Sequence, residues 1–307
     1  MDTGVKEKLS EMFSGQVQWN CSLKEYTTFS IGGRAQALVK VKDRNELQGL
    51  LRFVDEEGLL WRVIGRGSNL LVNDNGFPGI IIVLQGDFLQ IKKILAEHTE
   101  NVAFRVGAGC SLGRLLKTCV DGGFTGLEFT VGIPGTVGGA LVMNAGAGGE
   151  ELGAVTGKVT LMTRNGIIEL DKNELDFAYR SWRGFEKYRL KAVVFEAEFF
   201  LEKGDTLQIK ALCQDLSERR KRTQPLEYPN AGSFFKNPEG DSAGRLIEAS
   251  GCKGMNVGGA VVSEKHANFL VNCGDATASD VLKLMKQIQK KVRKNSGVQL
   301  LPEVHFL

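Results

Sequence analysis

GIPGTVGGALVMNAG, residues 132–146, sits in the densest glycine region of the chain, with Thr136 and Asn144 as its polar side chains. Two glycine-rich turns flank a short apolar segment. A residue without Cβ lets the backbone approach a neighbour closely, and that neighbour is either a ligand or another piece of backbone. On the first reading, a flat aromatic cofactor lies against the main chain and receives its hydrogen bonds at one edge. On the second, the stretch is a buried glycine-rich turn. Such a turn would not need the same economy of side chains twice in so short a span, which favours binding.

Working outward, the 38 glycines of this 307-residue chain cluster at 65–67, 107–113, 122–149 and 251–259. IGRGSNLL (64–71) follows a strand-like run, and successive N–H groups in such a loop form a nest for phosphate or pyrophosphate, with Ser68 and Asn69 as added donors. The loop is neither a Walker A sequence nor the dinucleotide fingerprint, because no third glycine follows its G-x-G.

Strands and helices alternate around these loops. ALVKVK (37–42) reads as a strand, followed by a helix with Leu47, Leu50, Leu51 and Val54 on one face and an Asp43…Glu46 capping pattern. Strands are expected at 79–84, 101–109 and 192–201, and a short helix begins at Ser111. A strand pair over 155–170 turns at Asn165-Gly166. A last amphipathic helix follows Thr277, with Val281, Leu284, Met285, Ile288 and Val292 buried, cations at 286, 290, 291, 293 and 294 solvated, and Gly297 as its stop. Length allows roughly two domains, and Lys203-Gly204-Asp205 is the chosen break.

Composition narrows the class. Hydrophobic residues at 42% and charged residues at 24% describe an ordinary globular chain. A net charge of +3 is too balanced for a dedicated nucleic-acid binder. The six cysteines are scattered without a C-x-x-C pair, which argues against a zinc site or disulfide framework and fits a reducing cytoplasm. The start lacks an apolar signal region, and the apolar run Ile80 to Leu84 is too short to span a membrane. A soluble cytoplasmic protein is expected, with no nucleic-acid, membrane or obligate protein partner.

Three further stretches hold groups suited to chemistry. AYRSWRG (178–184) sets Arg180 beside Tyr179, and arginine clamps carboxylate or phosphate bidentately, although surface arginines are commoner. AGSFFKNP (231–238) follows the cations Arg219-Arg220-Lys221-Arg222. It is either a hairpin that buries Phe234 or Phe235, or a wall of an active site with Ser233 as a working group. LPEVHFL (301–307) places Glu303 among apolar residues, at a strand edge or in a partly dry site that raises its pKa. Histidine occurs only at 98, 266 and 305, and Ser233 lacks a G-x-S-x-G setting, so a Ser-His-Asp hydrolase is disfavoured.

Taken in order, TTFSIGG (27–33), IGRGSNLL, GLEFTVGIPGTVGGALVMNAG (126–146), AYR, AGSFFKNP and PEV (302–304) resemble the UDP-N-acetylenolpyruvoylglucosamine reductase family. These flavoenzymes make UDP-N-acetylmuramate for peptidoglycan. The resemblance runs from about residue 20 to residue 307, and the spacing from Arg180 to Ser233 is similar to the shorter class, without a substrate-covering insertion. It implies an α+β fold: a flavin-binding region of two α+β subdomains, of the vanillyl-alcohol-oxidase type, over 1–203, and a smaller α+β substrate domain over 204–307.

It implies non-covalent FAD, with Gly65, Gly67, Ser68 and Asn69 at its pyrophosphate and Gly132, Ile133, Pro134, Gly135, Thr136, Gly139, Asn144 and Gly146 along the flavin. NADPH is the implied co-substrate and an enolpyruvyl UDP-sugar the implied substrate, with hydride going from flavin N5 to C3 and a proton to C2. Arg180 and Glu303 would hold the substrate carboxylate, Ser233 would donate the proton, and Tyr179, Lys236 and Asn237 would contact substrate. Arg219–Arg222 suits either the substrate anions or a solvated helix end. The chain departs from the family pattern at Trp182 (usually serine), at Ala147-Gly148-Gly149 (usually Ala-Tyr-Gly) and at His305 (usually arginine). Two other classes compete with this one. A flavin oxidase of the same fold group fits the Lys-Asn features around the site less well, and a non-enzymatic binder is favoured only by the cationic last helix.

Overall fold

The computed structural model describes residues 1–95 and 102–307, and the chain divides into two compact units. The first comprises Met1–Trp19, Ala37–Gly65 and Gly79–Glu218; the second comprises Asn20–Gln36, Arg66–Pro78 and Arg219–Leu307. Residues 204–218 thus group with the first unit, and two segments from the N-terminal part of the chain group with the second. His98, and Asn101 at the head of the expected strand 101–109, lie outside the described residues.

The larger sheet of the first unit runs in the order Gly166–Asp171, Thr156–Thr163, Ala192–Lys203, Val102–Gly107, Ile91–Leu95, with every pair antiparallel. Period-two alternation sends Phe104 and Val106 inward, while Arg105 between them pairs with Glu198 across the strands. The expected hairpin is present, but its loop is Arg164-Asn165, one residue earlier than the Asn-Gly signal suggests. Gly166 already pairs with Thr163, and Asn165 donates its N–H to Thr163 Oγ1 at 3.1 Å, the local bond that draws the turn forward.

A second sheet takes the order Val17–Ser22, Arg34–Val41, Phe77–Leu84, Trp61–Val63, the last pair parallel. The helix Arg44–Glu56 connects Arg34–Val41 to Trp61–Val63. Asp43 caps it by accepting the Glu46 N–H at 2.9 Å, and Leu47, Leu50, Leu51 and Val54 are all buried, as their spacing requires. One hydrophobic core joins the two sheets, from Val39 and Ile80 to Phe104, Leu161 and Phe199.

The second unit is built on an antiparallel sheet, Asn230–Ser233, Phe269–Asn272, Ala260–Val262, Asn256–Val257. The helix Ala278–Ser296 buries the predicted stripe, opens with a Thr277–Asp280 capping box and closes on Gly297 at φ +74°. Its first N–H groups, Ala278 and Ser279, also donate to the Asp74 carboxylate at 2.7 and 3.0 Å. Lys286, Lys290, Lys291, Arg293 and Lys294 form its exposed face. The core of this unit contains Phe29, Leu71, Phe234, Phe235, Ile247 and Leu284. The mixed helices and mostly antiparallel strands are the expected α+β architecture.

Candidate active site

In the first unit, residues 132–136 are anchored by their own backbone. The Ile133 N–H reaches Thr130 O, Gly135 O accepts the Leu112 N–H, and Thr136 bridges Ser111 before the short helix Val137–Val142. Gly132, Pro134 and Gly139 remain exposed. A Cβ on Gly65 would stand 2.3 Å from Thr136 Oγ1, so the two expected binding stretches touch in this unit and only glycine fits between them.

Asn144 is 1% exposed at φ +42° and its amide is fully used. Nδ2 donates to Glu151 Oε2 and Ala178 O at 2.7 and 3.1 Å, and Oδ1 accepts the Gly153 N–H at 2.8 Å. Its side chain therefore ties the glycine stretch to the next two hairpins. The first is Gly146–Ala147 with Glu150–Glu151, whose turn residues Gly148 and Gly149 take φ +67° and +95°. Positive φ at both positions is what a two-residue hairpin turn of this kind requires, so the departure at Gly148 is a turn solution.

The second hairpin, Phe177–Ala178 with Ser181–Trp182, makes Tyr179-Arg180 the turn itself. Arg180 sits at φ +52°, donates Nη2 to Gly146 O at 2.9 Å, lies 3.8 Å from Glu151 Oε1 and stacks 5.0 Å from the Tyr179 ring centroid. A left-handed arginine is strained backbone held by its surroundings, a pattern that gathers at functional sites. The supporting packing comes from Trp182, fully buried between Phe177 and Phe185 with ring centroids 5.3 and 5.1 Å away. Trp182 therefore fills the base of the hairpin.

In the second unit, Gly67 has φ +60°, and a Cβ there would come within 2.0 Å of Tyr26 O. The TTFSIGG segment thus forms the floor under the loop, with the Thr28 N–H donating to Gly67 O at 3.3 Å. Among the described residues, the backbone N–H groups of Arg66, Gly67, Ser68 and Asn69 and the Ser68 hydroxyl find no protein acceptor. Consecutive amides left without acceptors in a glycine loop fit the pyrophosphate of FAD. Asn69 also ties the loop to the end of the chain, since its Nδ2 donates to Glu303 O at 3.1 Å and its carbonyl accepts the His305 N–H at 3.0 Å.

The chain's last segment is therefore laced into this unit. His305–Phe306 runs parallel to Leu70–Leu71, with the His305 side chain exposed. On the other side, Phe235 bridges Pro302, the Glu303 N–H donates to Phe234 O at 2.8 Å and the Lys236 N–H to Leu301 O at 2.9 Å. Glu303 is thereby carried one peptide away from Ser233. Both phenylalanines are 1% exposed and meet edge to face at 5.3 Å, while Ser233 is half-buried and its Oγ has no protein hydrogen bond among the described residues. AGSFFKNP is thus both a packed turn and a presented hydroxyl. Asn237 is exposed and its Oδ1 accepts the Ala243 N–H at 3.0 Å. Arg219–Arg222 forms the last turn of the helix Thr206–Thr223, where cations oppose the helix dipole; burial pulls the Arg220 guanidinium down from its ordinary value.

Sequence reasoning passes over Asn268, which is 3% exposed and bonded to Phe234 and Phe235. Its only sequence signal is its place just before a strand; the partners are more than thirty residues away.

Residues 35–171 match an FAD-binding domain, and residues 224–307 match the family described as UDP-N-acetylenolpyruvoylglucosamine reductase, C-terminal domain. UDP-N-acetylenolpyruvoylglucosamine reductase 2 of Symbiobacterium thermophilum is 46% identical over 291 residues, 94% of this chain and 92% of that protein. The reductase of Carboxydothermus hydrogenoformans is 43% identical over 99% of this chain and 98% of that one. The crystal structure of UDP-N-acetylenolpyruvylglucosamine reductase from Thermus caldophilus superposes with a TM-score of 0.79, at 34% identity, covering 95% of this chain and 98% of that one. With near-complete coverage at such identity, the chain belongs to the UDP-N-acetylenolpyruvoylglucosamine reductase family.

Proposed function

We propose that the protein reduces the enolpyruvyl group of UDP-N-acetyl-3-O-(1-carboxyvinyl)-glucosamine to give UDP-N-acetylmuramate, using non-covalent FAD and NADPH. FAD, when bound, would supply hydride derived from NADPH to C3 of the enolpyruvyl group. The chain's own residues manage the charge that follows. Negative charge gathers at C2 and spreads into the adjacent carboxylate, so the site needs groups already oriented toward that carboxylate. Arg180, pinned by Gly146 O and stacked on Tyr179, and Glu303, held through its own N–H and C=O, hold and polarise it. Ser233 donates the proton to C2; its hydroxyl is a weak acid in water, and what counts is reach toward a basic carbon. Lys236 and Asn237 contact the sugar nucleotide from the same turn. Residues 1–203 hold FAD and residues 204–307 the substrate, with the Arg66–Asn69 amides on the pyrophosphate. The free cysteines suit a reducing cytoplasm, where we place the reaction; among the described residues no helix is long and apolar enough to cross a membrane.

The observation that carries this reading is Ser233: a hydroxyl with no protein partner among the described residues, on a turn whose next carbonyl receives the Glu303 N–H. Anaerobic stopped-flow on Ser233→Ala tests it. NADPH should bleach the flavin as in wild type, while reoxidation by the enolpyruvyl substrate falls on the order of 10²- to 10⁴-fold. Equal loss of both half-reactions would make Ser233 a structural or FAD-binding residue.

A further inference from the structure

We infer that Asn268 is a positioning residue for the protonation step, its amide and carbonyl holding the Phe234-Phe235 turn in a frame that sets Ser233 and Glu303 together. The inference rests on the assignment of Ser233 and Glu303 given above, and on five hydrogen bonds within the second unit.

The ladder between Asn230–Ser233 and Phe269–Asn272 loses its regular register between Asn230 and Ser233. The ladder ends at the Ser233–Phe269 pair, and beyond it Asn268 carries the pairing on. Its backbone carbonyl accepts the Phe234 N–H at 2.7 Å. Its Oδ1 accepts the Phe235 N–H at 2.9 Å and its Nδ2 donates to Phe235 O at 2.8 Å. The side-chain amide thus imitates a strand partner for Phe235, engaging donor and acceptor of one residue at once. The Phe234 carbonyl, free of Asn268, takes the Glu303 N–H at 2.8 Å. Phe234 is therefore gripped on its N–H side by Asn268 and on its C=O side by Glu303, and the peptide linking Ser233 to Phe234 ends at the gripped nitrogen. Asn268 is itself oriented by its own N–H, which donates to His266 Nδ1 at 3.2 Å.

A buried amide with every polar group matched tolerates no loss without leaving partners unsatisfied. Here the unsatisfied partners would be the N–H and C=O of Phe235, two residues after Ser233, while the backbone bond to Phe234 remains, so the error goes into the turn that aims the hydroxyl. A misplacement of about 1 Å at such a distance from the chemistry is worth roughly 10²-fold in rate.

Asn272 provides a matched control from the neighbouring strand. It is also buried, with Nδ2 on Phe29 O at 3.2 Å and Oδ1 accepting the Gly274 and Ala276 N–H groups at 3.0 and 3.2 Å, none of them on the Ser233 turn.

The test compares FAD-loaded wild type, Asn268→Ala, Asn268→Asp, Asn272→Ala and Ser233→Ala by anaerobic stopped-flow in H₂O and D₂O, alongside urea unfolding. Asn268→Asp keeps shape and the Oδ1 acceptor but sets an oxygen against Phe235 O, so both variants are assayed below the unfolding midpoint that the urea titration gives each. Both Asn268 variants should bleach with NADPH at rates near wild type, reoxidise about 10- to 100-fold more slowly, and show a larger solvent isotope effect on reoxidation as proton delivery becomes limiting. Asn272→Ala should lose comparable stability and keep both rates. Wild-type reoxidation in the Asn268 variants, or equal slowing in Asn272→Ala, overturns the inference. If Ser233→Ala slows and the Asn268 variants do not, only the positioning role fails; if Ser233→Ala reoxidises normally, the assignment of Ser233 fails first.

Discussion

Gly139 separates the two meanings of a glycine that the opening motif leaves open. An added Cβ there meets only Thr136 Oγ1, at 3.6 Å, so packing gives no reason for glycine. Gly139→Ala should leave the apo protein equally stable or up to about 1 kcal/mol more stable, since alanine is the better helix former. If the exposed backbone lies against the flavin, FAD affinity in a fluorescence titration falls at the same time; unchanged affinity would make the glycine incidental. Gly67→Ala should behave oppositely, because its Cβ would overlap Tyr26 O and its φ is positive: loss of more than about 1 kcal/mol in urea unfolding, together with weaker FAD retention. His266 gives a pH signature. Burial pushes its imidazole down, with Lys253 adding to this while a backbone hydrogen bond and Glu248 oppose it. The folded state therefore prefers the neutral ring whose Nδ1 accepts from Asn268. That contribution is complete above the ordinary value near 6.5 and fades as pH falls through the depressed one. The stability difference between wild type and His266→Asn should shrink from about pH 8 to about pH 5 in urea titrations.

Elements form here because local signals and burial agree. The helix Ala278–Ser296 is legible in full: capping box, stripe and terminal glycine all lie within hydrogen-bond or van der Waals reach along one helix. Leu284, fully buried, should cost about 2–5 kcal/mol as alanine, measured by urea unfolding. The carboxylate of Asp74 on the first turn of that helix is not legible, because it comes from a loop some two hundred residues earlier. Burial disfavours its charge, but the Ser279 and Ala278 donors outweigh this and hold the carboxyl below its usual range. The Tyr179-Arg180 turn likewise reads in the sequence only as the end of a loop; its strands are two residues long and owe their pairing to Asn144 and Trp182, which sequence periodicity does not report.

At the scale of the whole molecule, a ligand that binds only the folded chain raises its stability by mass action. FAD at about a hundredfold excess over its dissociation constant should add about 2.7 kcal/mol, read as a higher urea midpoint that returns to the apo value when FAD is removed. A midpoint indifferent to FAD would remove the cofactor from the mechanism. The two compact units do not follow the order of the chain, since the second takes Asn20–Gln36 and Arg66–Pro78 from the N-terminal part. No composition shift marks these crossings, which is why a single break near residue 203 is the natural sequence reading.

The amino-acid sequence by itself determined the long helices and the glycine loops, because each depends on residue type at short spacing, and its ordered motifs carried the resemblance to the family and, through it, the α+β class. It also named Ser233, Arg180 and Glu303, through motifs. Only the tertiary structure decided what GIPGTVGGALVMNAG and AGSFFKNP do with their side chains. Thr136 closes on Gly65, Asn144 spends its amide on neighbouring hairpins, and Phe234 and Phe235 go inward while the Ser233 hydroxyl stays free. Those outcomes depend on hydrogen bonds between residues far apart in the chain, such as Asn268 to Phe235 and Asn69 to Glu303, and the partners of a buried amide are chosen by the fold.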